Sequence, residues 1–227
     1  MIILTGASGG IGKAILPLLS KIDDVIAISY SKNLDVRNFN NVESYQLDLV
    51  SERQIEEFIS KIQSKLSNVV LINAAVVSMD NLFINYNTED WNRVLNVNLT
   101  GTFFLTRSII KTMIKDNWGR VINISSVAGI NGVPGTAAYS VTKTGILGMS
   151  KVLANEYARF GITSNVLILG YFNTGLINDL DKESYEKILK SIPSKNLGEP
   201  TNIVNAVNFI IKSEYVNGAT INIDGGI

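Results

Sequence analysis

Five short runs in this chain are apolar at nearly every position: Ile2–Thr5, Val25–Ser29, Val69–Ile72, Val121–Ile124 and Val166–Leu169. A strand with one wet face alternates apolar and polar residues, so runs that do not alternate are strands covered on both faces. Two weaker strands complete the set, at Tyr45–Leu47 and Ala219–Ile223. Segments of helical period lie between them. One runs over Ile11–Ile22, with Pro17 inside it as an expected kink. Another starts at the capping-box pattern Ser51-Glu52-Arg53-Gln54 and reaches about Leu66. A long one is capped by Thr88 and runs to about Lys115, with Trp91, Val94, Leu95, Leu99 and Phe103 at helical spacing. A fourth carries Tyr139, and a last begins at Pro200. The alternation predicts one α/β domain over residues 1–227, a doubly wound parallel sheet of about seven strands with helices on both faces. Only Tyr30 to Ser44 bridge the second and third strands, a polar, Asn-rich stretch near the lower limit for a parallel crossover, so its helix is expected to be lost or reduced to a turn.

Composition narrows the chemistry. At 46% hydrophobic and 18% charged residues, the 227-residue chain is that of a compact protein with a substantial core. Net charge is zero and no Lys or Arg run occurs, which argues against nucleic acid or an anionic membrane as partner. No apolar stretch reaches the ~18 residues needed to span a bilayer. The opening Met-Ile-Ile-Leu carries no charged leader, so a cytoplasmic location is expected. There is no cysteine and no histidine. Disulfides, thiolate nucleophiles, His-based triads and Cys/His metal sites are therefore excluded, and no metal site is expected. Acid–base chemistry here must use Tyr, Lys, Asp or Glu.

Tyr139 and Lys143 stand four residues apart in Ala138-Tyr139-Ser140-Val141-Thr142-Lys143. On a helix, such residues share a face. A phenol with a reference pKa near ~10 is a poor proton donor or acceptor at neutral pH. A lysine cation beside it favours the phenolate, so the pair is expected to bring that pKa toward the working range. By itself, Tyr-x-x-x-Lys more often marks a solvated helix face. The loop Thr5-Gly6-Ala7-Ser8-Gly9-Gly10-Ile11-Gly12 follows the first strand and opens the first helix. In that context glycines let the backbone approach a pyrophosphate, and the helix N-terminus offers unpaired N–H groups. A glycine-rich strand-to-helix turn with no ligand is the alternative.

Gly-x-x-x-Gly-x-Gly in that loop resembles the short-chain dehydrogenase/reductase family, and the resemblance spans essentially the whole chain. Its Rossmann-type fold agrees with the pattern above. Asp48 in Leu47-Asp48-Leu49 matches the family's adenine contact. Asn98 in Asn96-Val97-Asn98-Leu99-Thr100-Gly101 matches its catalytic asparagine. Ser126, thirteen residues before Tyr139, matches its catalytic serine, with Ser125 the lesser candidate. Thr174 matches the threonine that clamps the cofactor. The resemblance implies hydride transfer from a nicotinamide, with Tyr139 protonating the developing alkoxide and Ser126 orienting the same oxygen. Lys143 would hold the nicotinamide ribose and tune Tyr139, and Asn98 would anchor a water relaying protons to Lys143. Cofactor contacts are implied at Gly6, Ser8, Gly10, Ile11, Gly12, Ser29, Tyr30, Ser31, Lys32, Asp48, Leu49, Asn73, Ala74, Ala75, Gly170, Phe172 and Thr174, besides Tyr139 and Lys143. Two positions depart from the family pattern beside the cofactor: Val76 replaces a glycine and Leu169 a proline.

No acidic residue ends the second strand to bond a ribose 2′-hydroxyl. Ser29, Ser31 and Lys32, with Arg37 from the crossover, suit a 2′-phosphate instead, so NADP(H) is favoured, with NAD(H) as the alternative. Within the family the chain looks most like the 3-oxoacyl-[acyl-carrier-protein] reductases, through Met79-Asp80-Asn81-Leu82, Gly119-Arg120-Val121-Ile122 and Gly161-Ile162-Thr163-Ser164-Asn165. The basic residues such enzymes use to dock an acidic carrier are here Trp118, Asn117 and Phe160. The substrate is thus a small or carrier-bound carbonyl compound, and a sugar or polyol dehydrogenase and a catalytically silent dinucleotide sensor remain as rivals. Gly175–Lys195 is expected to form a substrate lid, with Leu176, Ile177, Leu180, Tyr185 and Ile188 facing a nonpolar body. Relatives pair their long helices, so a homotetramer or homodimer is expected, with Phe103, Phe104, Ile109, Ile110 and Met113 as candidate interface residues.

Overall fold

The computed structural model describes residues 1–31, 34–175, 177 and 180–227. Seven parallel strands, β1 (Ile2–Thr5), β2 (Val25–Ser29), β3 (Val42–Gln46), β4 (Val70–Asn73), β5 (Gly119–Ser126), β6 (Ile162–Leu169) and β7 (Thr220–Ile223), form one sheet in the order β3-β2-β1-β4-β5-β6-β7. Strand order reverses between β1 and β4, which opens a crevice at their carboxyl ends. The strands lack alternation because each feeds two cores. Ile2 and Leu4 of β1, with Val25 and Ala27 of β2, pack with Ile15 and Leu19 of α1 (Gly10–Leu19). Ile3, Ile26 and Ile28 instead face Ile55, Phe58 and Ile62 of α2 (Glu52–Ile62).

Helix α1 ends at Leu19, short of the expected Ile22, and Pro17 occupies its last turn. There the missing N–H removes a single bond just before the helix stops. Ser51 caps α2 by accepting from the Gln54 N–H at 3.3 Å, but the Gln54 side chain accepts from the Asp48 N–H at 3.2 Å instead of closing the box. Among the described residues of the β2–β3 crossover there is no helix, as expected; Leu34, Val36 and Phe39 pack there on the α1-side core. Strand β6 begins at Ile162, four residues before the predicted start.

The long third helix is two helices joined by a widened turn. Asn87, not Thr88, caps α3 (Thr88–Leu95), accepting from the Asp90 N–H at 2.7 Å. Asn96–Gly101 is π-helical, and α4 (Thr102–Asp116) follows. Ile109, Ile110 and Met113 are buried against the sheet, so of the predicted interface residues Phe103 is the one left well exposed, at 43%. The short α5 (Ala128–Asn131) leads to α6 (Ala137–Tyr157), which carries Tyr139 and Lys143; α7 (Lys182–Ser191) and α8 (Pro200–Lys212) complete the chain. Arg120 is buried in β5. Its guanidinium donates to the carbonyls of Gly119 (2.9 Å), Gly161 (3.0 Å) and Ile211 (3.3 Å) and lies 4.4 Å from the centre of the Trp118 ring. No helix among the described residues is long and apolar enough to cross a membrane.

Candidate active site

A cleft of about 1110 Å³ runs along the carboxyl ends of the strands. Its floor is the loop between β1 and α1. Gly9 precedes α1 without any side-chain cap, and the first turn holds no acidic residue. The helix geometry therefore leaves the N–H groups of Gly10, Ile11 and Gly12 directed at the cleft with the positive end of the dipole. A Cβ at position 12 would lie 2.2 Å from the Gly6 carbonyl oxygen, and one at position 6 would lie 2.7 Å from Ala75 Cα. The glycines thus let β1, α1 and the segment after β4 close into a cradle no other residue permits. That cradle, capless and free of acidic side chains, fits a dinucleotide pyrophosphate.

Most sequence-predicted contacts meet in this cleft: Gly6, Ser8, Gly10, Ile11, Gly12, Ser29, Tyr30, Ser31, Asp48, Leu49, Ala74, Ala75, Tyr139, Lys143, Gly170, Phe172 and Thr174 all line it, with Ser126. Lys32 and Leu176 lie outside the described residues. Asn73 is a correction. It is turned into the core between β4 and β5, donating to Asn123 Oδ1 (2.9 Å) and Thr106 Oγ1 (3.1 Å), because its register partner is Asn123. Arg37 is another. Its guanidinium makes two bonds to Asp35, at 2.9 and 2.7 Å, and does not line the cleft. Val76 and Leu169, the two departures from the family pattern, do line it, and Leu169 is held in β6 by the Val127 N–H at 3.0 Å.

The catalytic candidates sit at the far end. Lys143 is buried, and its ammonium donates to the Ile124 carbonyl at 2.8 Å while lying 5.5 Å from the centre of the Tyr139 ring. Burial lowers its pKa to about 8. At Tyr139 the expectation is corrected: burial pushes the phenol above its ordinary value, a Ser126 hydrogen bond opposes this, and the Asp80 carboxylate adds to it. With the cleft walls removing water from the ring, desolvation is the largest influence on it. Ser126 Oγ accepts from the Ala128 N–H at 3.2 Å, which fixes it beside the phenol. Ser125 has a different task, donating to the Lys143 carbonyl at 2.9 Å and tying β5 to α6.

Asn98, buried in the π-helical turn, does not line the cleft. Its amide donates to the Val77 carbonyl (2.9 Å) and Thr142 Oγ1 (3.3 Å) and accepts from the Val77 N–H (2.8 Å). The side chain thus pins the segment after β4 to α6, a role its position in the sequence did not announce. Also unanticipated is the wall made by Glu89, Asn92, Arg93, Asn96 and Val97 of α3 and its continuation. Their spacing is that of one helix face, a signal the sequence did carry. In the lid region Ile177 lines the cleft, Leu180 is 39% exposed, and Tyr185 and Ile188 are half-buried on α7. Among the described residues no cluster of acidic side chains is built to hold a metal.

The family model for short chain dehydrogenases matches residues 1–184. The 3-oxoacyl-[acyl-carrier-protein] reductase FabG of Rickettsia felis is 36% identical, the match covering 99% of this chain and 95% of that protein. Nodulation protein G of a Rhizobium species is 33% identical, with 99% of this chain and 95% of that one covered. Among solved structures, ElxO with NADP bound superposes with a TM-score of 0.91 at 30% identity, covering 99% of this chain and 96% of the other. The strand order agrees with these matches, and the chain belongs to the short-chain dehydrogenase family.

Proposed function

We propose that this chain reduces a carbonyl to a hydroxyl using NADPH, as a reductase of the 3-oxoacyl-[acyl-carrier-protein] kind. The observation that carries the reading is the phenol of Tyr139, lining the same cleft as Ser126 and backed by buried Lys143, at the end of a cleft floored by an uncapped helix N-terminus. Bound NADPH supplies the hydride. Tyr139 delivers the proton: a phenol raised by burial stays protonated at neutral pH, and an alkoxide is far more basic than a phenolate, so transfer runs downhill. Ser126 orients the accepting oxygen and stabilises the charge that develops on it. Lys143, titrating at about 8, returns a proton to the phenolate near neutral pH. Asn98, committed to Val77 by its side chain, serves this relay as a positioning residue.

The preference for NADPH is supported by the hydroxyl-lined end of β2, where Ser29, Tyr30 and Ser31 border the cleft and no carboxylate opposes a 2′-phosphate. ElxO, of similar fold, binds NADP. NADH is the alternative cofactor. A carrier-bound acyl substrate follows from the likeness to the FabG proteins. One observation favours a small free substrate instead. Trp118 is stacked on Arg120, and Arg159 lies 4.8 Å from the centre of the Phe160 ring, so the arginines nearest the expected docking positions are engaged with rings. Self-association through α4 and α6 is part of the same reading, supported by exposed Phe103, Val141 and Val152.

Loss of reduced-nicotinamide absorbance with a panel of ketones tests the proposal. Wild type turns over at least one of them, and Tyr139→Phe, folded and still binding NADPH, loses roughly 10²- to 10⁴-fold in kcat. Near-full turnover by that variant would overturn the scheme.

A further inference from the structure

The sheet sets the two ends of the cleft. Ser126 ends β5, whereas Ser29 and the segment 47–50 follow β2 and β3, at the opposite side of the strand order. There the Leu47 N–H donates to the Ser29 carbonyl at 2.9 Å. The π-helical turn and α3 close this second end. Gly101 is seated on Leu49: a Cβ at position 101 would lie 2.8 Å from Leu49 Cβ and 3.1 Å from its carbonyl oxygen. From that seat Val97, Arg93 and Glu89 follow at intervals of four residues on one helix face, and all three line the cleft.

Arg93 differs from the other five arginines of the chain. Arg37, Arg53 and Arg107 are paired with Asp35, Glu57 and Glu52. Arg120 is spent on three carbonyls and the Trp118 ring, and Arg159 lies on the Phe160 ring. Among the described residues Arg93 has no ion pair and no ring contact. Yet Glu89 stands one turn before it, at the spacing that Glu183 and Lys187 close to 2.6 Å on α7. Val50 and Val76 line the same cleft with exposed apolar side chains. What completes this end must therefore have an apolar body and a face that suits a guanidinium. A phosphate suits it poorly, because the Asp48 and Glu89 carboxylates line the cleft here and repel an anion. A purine meets every condition: flat faces for the valines, an electron-rich ring for the cation, and an amino group for the carboxylates.

We propose that Arg93 is a specificity-determining residue for the adenine of the cofactor, its guanidinium lying against the base and completing, with Val50 and Val76, a slot for the purine. The 2′-phosphate is left to the end of β2. This inference rests on the dinucleotide reading of the cleft and concerns its adenosine half alone.

Fluorescence titration of the reduced nicotinamide reads binding without turnover. Arg93→Ala, a change at an exposed helical position, weakens NADPH and NADH by the same factor, about 5- to 30-fold, as the loss of one contact to a base does. Reduced nicotinamide mononucleotide, which has no adenine, keeps its wild-type Kd. Arg93→Lys retains the charge but not the planar group, and recovers little of the loss. A loss confined to NADPH, or restored by Arg93→Lys, would assign the cation to the 2′-phosphate and overturn the inference. A loss shared by the mononucleotide, or an unchanged Kd for both dinucleotides, would overturn it as well, with the cofactor reading intact. Wild type that binds neither dinucleotide would overturn both.

Discussion

Replacing Lys143 with methionine removes a buried charge while keeping a side chain of similar length. In the folded chain the ammonium titrates at about 8, against 10.5 in water, because burial disfavours the cation. At roughly 1.4 kcal/mol per pKa unit, holding that charge inside costs folding ~3 kcal/mol at neutral pH. The variant escapes this cost but leaves the Ile124 carbonyl without its donor, a loss of ~1–2 kcal/mol. Lys143→Met is therefore more stable than wild type by ~1–2 kcal/mol at pH 7 while being inactive. The pH dependence gives the sharper reading. Between about 8 and 10.5 the unfolded chain binds the lysine proton and the folded chain does not, so wild-type stability rises with pH and is lost again as pH falls through 8. The gain from pH 7 to pH 9.5 is ~2 kcal/mol, absent in the variant, so the two converge or cross. Tyr139 acts in the opposite sense and only above its ordinary value of 10, where its raised pKa costs stability. Urea unfolding of both proteins without cofactor, followed by fluorescence of Trp91 and Trp118 at fixed concentration, measures the difference. A stability gap that stays constant from pH 7 to pH 9.5 would show that Lys143 is not held as a disfavoured cation.

Two further outcomes are expected. Gly12→Ala places a methyl 2.2 Å from the Gly6 carbonyl oxygen and forces the phosphate loop open, costing ~1–3 kcal/mol in thermal unfolding and weakening NADPH in a fluorescence titration at least tenfold. Light scattering of wild type gives a dimer or tetramer at micromolar concentration, and Phe103→Lys shifts it toward monomer; a wild-type monomer refutes association through α4.

Where side-chain pattern and backbone geometry coincide, the sequence was legible. The unbroken aliphatic runs of β1 and β2 announced a sheet covered on both faces, and the glycine loop announced the floor of the cleft. Strand β6 was read short because Thr163, Ser164 and Asn165 look like loop. In the structure they stay in the strand: Ser164 shares a bond with Ser150 at 2.8 Å, and Asn165 bonds the Val216 carbonyl and the Ala219 N–H at 2.8 and 2.9 Å. Partners far along the chain satisfy Ser164 and Asn165, and local pattern cannot show them. Asn73 was misplaced for the reverse reason. A strand-end asparagine looks available to a ligand until its register neighbour, Asn123, is known. The balance of influences on Tyr139 was invisible too, since spacing brings Lys143 near but says nothing of how much water the walls remove.

The π-helical turn at Asn96–Gly101 amounts to one residue inserted into an otherwise regular helix. Everything on its N-terminal side, including the polar face of α3 that walls the cleft, is rotated by about 100° relative to α4 compared with an uninterrupted helix. The chain thus decouples two packing problems. Leu105, Ile109 and Met113 keep their seats on the sheet, while the α3 face is aimed at the cleft and Asn98 at Val77 and Thr142. An ancestral helix gaining one codon here would acquire this aim in a single step, and losing one would erase it while leaving the core's composition untouched.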